Sequence, residues 1–107
     1  MTTFDGREKA FEDKFAHDAE VQFRLMARRN RLLGQWAAER LKLTPEESDA
    51  YSKAVVQADF EEAGDEDVFR KVFGDLSAQG DTVSEAEVRQ AMNDCLVEAR
   101  RQFMEAI

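Results

Sequence analysis

The apolar residues Phe4, Phe11, Phe15, Ala19, Phe23, Met26, Leu33, Ala37 and Leu41 recur at spacings of three, four or seven. At about 100° per residue they fall on one broad stripe, which predicts a long first helix. Asp5, with Glu8 three residues on, reads as a capping box at its start. A pattern of almost forty residues exceeds the common helix length of about 8–20, so part of it is expected to project beyond the domain. Gln22, Arg29 and Asn30 interrupt the stripe and predict a bend or a change of partner near its middle. Gly34 costs about 1 kcal/mol against Ala in a helix, yet beside Trp36 it would let a neighbouring helix approach.

Three further helices carry clear punctuation. Thr44-Pro45-Glu46-Glu47 places Thr at the N-cap, Pro at the first position and Glu at the third. The helix it opens runs to about Phe60, with Ala50, Tyr51, Ala54, Val55 and Ala58 facing inward. Asp65-Glu66-Asp67 supplies negative charge at the positive end of the next helix, which presents Val68, Phe69, Val72, Phe73 and Leu76 and stops by Gly80. Ser84 and Glu87 form a capping box for the last helix, and Val83 and Val88 stand where a hydrophobic staple would join them. Its inward side is Val88, Ala91, Met92, Cys95, Ala99 and Phe103. Short connections favour antiparallel neighbours. The expected fold is all-α: a four-helix bundle with a long N-terminal helix whose first turns are mobile.

Composition narrows the class. The chain has 107 residues, enough for one domain with a core of its own. No run approaches the roughly 20 apolar residues of a membrane span, and no basic-then-apolar start predicts a signal peptide. One cysteine fits a reducing cytoplasm. The net charge of −8 argues against nucleic acid and anionic lipid as partners. That average is uneven: residues 1–43 carry +2 and residues 44–107 carry −10. Arg24, Arg28, Arg29 and Arg31 form a basic block with no acid between positions 21 and 31. It is expected either to pair with the acidic half of the chain or to reach an outside partner.

Candidate chemistry is sparse. His17, with Asp13 and Asp18 near it, is read as an exposed helix histidine before it is read as a pH sensor. Cys95 falls on the core side of its helix and is read as a small hydrophobe. No nucleophile and base converge, so an independent enzyme is the least expected reading. Two acidic turns, from Asp59 and from Asp75, resemble calcium loops, but the residues at their twelfth positions are Arg70 and Ala86 where a bidentate Glu is required. No metal site is expected, and no Gly-rich phosphate loop is present. Arg24, Arg28 and Arg31 share a helix face and are candidates for phosphate or carboxylate contacts.

Taken together, Phe4-Asp5 through Phe15-Ala16-His17-Asp18, then Ala27-Arg28-Arg29-Asn30-Arg31-Leu32-Leu33-Gly34 with Trp36-Ala37-Ala38-Glu39, resemble the zeta subunit of alphaproteobacterial F-type ATP synthases. Ala58-Asp59-Phe60-Glu61, Gly64-Asp65-Glu66-Asp67-Val68 and Ala99-Arg100-Arg101-Gln102 extend the resemblance to nearly the whole chain. It implies a non-enzymatic helical protein that binds the catalytic head, made of alpha, beta and gamma subunits. Its N-terminal segment would wedge between a catalytic and a non-catalytic subunit beside the rotor, blocking ATP hydrolysis while permitting synthesis. Such a protein is cytoplasmic, peripheral to the inner membrane through the synthase, not itself inserted, and monomeric when free.

On this reading the chain divides into an inhibitory segment, 1–20, and a helical bundle, 21–107. Thr2, Thr3, Phe4, Asp5, Arg7, Glu8, Lys9, Phe11, Lys14 and Phe15 are the candidate partner-binding residues. The phenylalanines supply aromatic anchors, Arg7, Lys9 and Lys14 pair with acidic groups, and Asp5 and Glu8 cap. Gly6 stands where the family pattern has an acid, which bears on inhibitory strength, and Leu25-Met26 replaces a more polar pair. Some members are thought to bind purine nucleotides. No cofactor is expected here beyond ADP or ATP as a weak regulatory ligand, with Arg24, Arg28 and Arg31 as its candidate contacts. The alternatives are a purine-nucleotide-binding regulatory module and a non-inhibitory structural subunit.

Overall fold

The computed structural model describes the backbone of residues 3–15, 17–61 and 64–106, and side chains of residues 9–15, 17–59 and 64–106. Among the described residues five helices follow one another: α1 (Thr3–Phe15), α2 (Ala19–Arg40), α3 (Pro45–Glu61), α4 (Asp65–Ala78) and α5 (Glu85–Ala106). All the described secondary structure is helical, as expected, but the fold is not the predicted four-helix bundle. The single long first helix is two helices. Asp18 adopts extended backbone angles (φ −94°, ψ 105°) and its carboxylate accepts from the Val21 amide at 3.1 Å. That N-cap begins α2 afresh after a turn through His17. α1 itself starts at Thr3, so Asp5 lies within its first turn rather than before it. The side chains of that predicted capping box, Asp5 and Glu8, lie outside the described residues.

The break also resets which face of α2 turns inward. Phe23, predicted inside, is 57% exposed, whereas Leu25, Arg29, Asn30, Leu33, Gly34, Ala37 and Ala38 are buried. Asn30 reaches Asp59 and Gly34 meets Ser52, so α2 and α3 run antiparallel in close contact. Arg28 meets Gln102 and Arg40 meets Glu87, so α5 flanks α2 in the same antiparallel sense. Gly34 is required at the crossing: a Cβ there would lie 2.6 Å from the Cα of Ser52. Among the described side chains of α3, Val55 and Ser52 are buried, and Ala50, predicted inward, is exposed.

The other expected starts are in place. The Thr44 amide donates to Glu47 Oε1 at 2.8 Å and the Glu47 amide to Thr44 Oγ1 at 3.2 Å. Ser84 and Glu87 make the same reciprocal pair at 3.3 and 3.1 Å. α4 ends at a left-handed Gly80 (φ 84°), with the Asp81 amide donating back to the Leu76 carbonyl, a Schellman closure. Just past it, Asp81 takes both prongs of Arg40 at 2.8 and 3.2 Å, tying the end of α2 to the loop before α5. The main core gathers Leu33, Ala37, Val55, Val68, Phe69, Val72, Leu76, Val83, Val88, Ala91 and Met92 from α2–α5 and the loop before α5. A second, smaller cluster of Phe11, Leu25 and Ala99 seats α1.

Candidate functional site

Two regions hold the candidate residues: α1 on its seat, and a cleft beside the arginine face of α2. α1 packs chiefly on α5. Phe11 is 1% exposed, edge-on to Phe103 at 6.1 Å and tilted against Phe15 at 5.0 Å. Arg100 lies over the Phe11 ring at 5.9 Å and reaches Glu12 at 3.6 Å. Lys9 and Lys14 are exposed, the Lys14 ammonium 5.4 Å from the Phe15 ring. Phe11 and Phe15 therefore serve in this state as internal anchors, their rings turned to α5 and to each other. Thr2 lies outside the described residues, as do the side chains of Thr3, Phe4, Asp5, Arg7 and Glu8.

The basic block divides between interior and surface. Arg29, one of the arginines expected to pair with the acidic half of the chain or to reach an outside partner, is 1% exposed and takes the first course. Its Nη2 donates to Asp65 at 2.8 Å and its Nε to Asn30 Oδ1 at 2.7 Å, while Asn30 donates to Asp59 at 3.1 Å. This network runs from the buried Arg29 and Asn30 to more exposed carboxylates and joins α2, α3 and α4, and its local signal was the interruption of the apolar stripe. Arg24, Arg28 and Arg31 do meet at one place. They line an open cleft of about 800 Å³ with Phe23, Val56 and Phe103. Arg24 pairs with Glu20 at 2.7 Å and Arg31 with Asp49 at 3.2 Å. Arg28 donates to the Gln102 amide oxygen at 2.9 Å and sits 5.5 Å from the Phe103 ring.

The acidic turns have structural occupations. Asp59 holds Asn30, and Asp75 accepts from Tyr51 at 2.8 Å and Lys71 at 3.1 Å. Burial, with help from the Asp75 carboxylate, pushes the Tyr51 hydroxyl well above the usual phenol range. Among the described residues no three His, Cys, Asp or Glu gather as a metal site, and no helix is long and apolar enough to cross a membrane. His17 is exposed in the turn before α2.

Cys95 packs half-buried against the main core, and burial pushes its thiol up to about 11. At pH 8 the folded protein should therefore react with Ellman's reagent at about a hundredth of the rate of a free thiol. Denaturation should restore the ordinary rate, and rapid labelling of the native chain would contradict the packing described.

Comparison with known proteins follows the same line. No curated protein matches the sequence. A chain solved by solution NMR is 47% identical, with a TM-score of 0.71 over 81% of this chain and 99% of that one. The model of the family described as ATPase inhibitor subunit zeta matches residues 1–102, nearly the whole length over which the resemblance was read. The chain belongs to the ATPase inhibitor subunit zeta family.

Proposed function

We propose that this protein inhibits the F-type ATP synthase by placing its N-terminal segment, residues 1–20, as a wedge in the catalytic head beside the rotor. The observation that carries this reading is the separability of α1. It is a helix of its own, joined to α2 through the turn before the Asp18 cap, and the main core includes none of its described side chains. Lifting α1 exchanges the contacts of Phe11 and Phe15 with α5 for contacts with another apolar surface, so burial lost on one side is regained on the other. Lys9 and Lys14, already exposed, would face carboxylates of the head, and Phe4, Arg7 and the first turns would enter deepest.

The partners on this reading are the alpha, beta and gamma subunits, and the block opposes rotation in the hydrolytic direction. Added to synthase stripped of its own zeta subunit, the protein should lower ATP hydrolysis severalfold and leave synthesis largely intact. Binding with both rates unchanged would identify a structural subunit instead and reject inhibition.

A further inference from the structure

We propose that the cleft lined by Arg24, Arg28 and Arg31, which borders the seat of the N-terminal helix and shares Leu32 and Phe103 with it, is a docking groove for an acidic amphipathic helix of a partner protein. Its length comes from α2: the lining residues span Phe23 to Gln35, which is about 18 Å of helix. A guest helix of about three turns fits alongside. Ala27, Leu32, Val56 and Phe103 give the cleft a half-buried apolar lining, while the three arginines are exposed. Among the described residues its charged lining is basic, although the chain as a whole carries −8. An acidic guest is repelled by the rest of the surface and attracted here, so charge sets both the place and the orientation of docking.

The present partners of the arginines do not block such a guest. The Arg24–Glu20 and Arg31–Asp49 pairs are exposed, with side chains half or more accessible, and exposed pairs of this kind contribute little and exchange readily. Arg28 is held by a neutral amide and an aromatic ring, which fixes its guanidinium at the rim where a carboxylate can take two parallel hydrogen bonds. The geometry suits a helix better than a nucleotide. Helix sides line the groove, with Phe23 in the second turn of α2 and Val56 well inside α3, so no run of backbone amides faces a phosphate. Helix-in-groove binding needs an apolar stripe and flanking charges, and both are present.

The probe is a synthetic peptide of about 14 residues with Leu at helical spacing and Glu on both flanks, titrated into the full isotope-labelled chain. Backbone amides of Ala27, Leu32 and Gln102 should shift together and saturate at micromolar to tens of micromolar peptide. The same peptide with Lys in place of Glu should bind at least about tenfold more weakly. Arg28→Glu with Arg31→Glu should weaken the acidic peptide by a similar factor. Gln35→Glu, a smaller change at the exposed rim, should weaken it about threefold and keeps the test informative if the double variant does not fold. No shifts up to about 1 mM acidic peptide would overturn the proposal, as would equal binding of the Lys peptide. ADP moving these amides while the peptide does not would assign the cleft to nucleotide and overturn it equally. Because the isolated chain is used, none of these outcomes depends on the inhibitory reading.

Discussion

Asp65→Ala should destabilise the protein by about 3 kcal/mol, read as a fall of roughly 2 M in the urea midpoint of a domain this size. Asp65 is the ion-pair partner of Arg29, whose side chain is only 2% exposed. Removing the carboxylate leaves a guanidinium held in the interior with no opposite charge, and a buried charge stripped of its partner is far costlier than a buried pair is stabilising. The reverse change should be milder. Arg29→Met takes the charge out with the side chain, fills most of the volume, and leaves an Asp65 that is 55% exposed and can be hydrated. Its cost is expected near 1 kcal/mol, mostly from the Asn30 carbonyl oxygen losing its donor. If Arg29→Met proved the worse of the two, the buried pair would not be what holds α2 to the start of α4.

Gly34→Ala is expected to cost about 1 kcal/mol net although alanine is the better helix former. The new methyl would stand 2.6 Å from the Ser52 Cα, with the Ser52 Oγ at 3.1 Å. Backbone cannot rotate aside, so α2 and α3 must separate along their whole contact. Overpacking on that scale costs about 1–3 kcal/mol and outweighs the roughly 1 kcal/mol gained in helix propensity. Shortening Ser52 to Gly should therefore fail to rescue the variant. Ser52→Ala alone should be neutral or slightly stabilising, because the buried Ser52 hydroxyl has no hydrogen-bond partner among the described residues. Full rescue by Ser52→Gly, measured by urea unfolding of the double variant, would contradict the close approach.

What could be read beforehand was what local chemistry decides. Thr44 with Glu47 and Ser84 with Glu87 mark helix starts because a cap is satisfied within three residues, and both pairs are where they were expected. The break in the first helix was hidden because Phe11, Phe15, Ala19 and Phe23 keep a four-residue spacing straight through it. The signal was Asp18 just before Ala19-Glu20-Val21, an N-cap within an unbroken apolar rhythm. Arg29 and Asn30 could not be placed from their neighbours, since Asp65 and Asp59 lie 36 and 29 residues away in sequence. Helical spacing did bring Arg24, Arg28 and Arg31 to one cleft, but only the fold supplied Phe103 and Val56 opposite them. Phe11 drew attention as an anchor, and its present surroundings are the rings of α1 and α5.

The inhibitory account rests on residues 1–20 being the active part and the bundle being their carrier. The most direct measurement compares the intact chain with one lacking residues 1–16, each titrated into zeta-free synthase while ATP hydrolysis is followed. None of the described α1 side chains belongs to the main core, so the shortened chain should keep its helical circular dichroism. It should leave hydrolysis at the uninhibited rate, while the intact chain lowers it severalfold. Equal inhibition by a folded chain without residues 1–16 would contradict the account and move the inhibitory surface to the bundle.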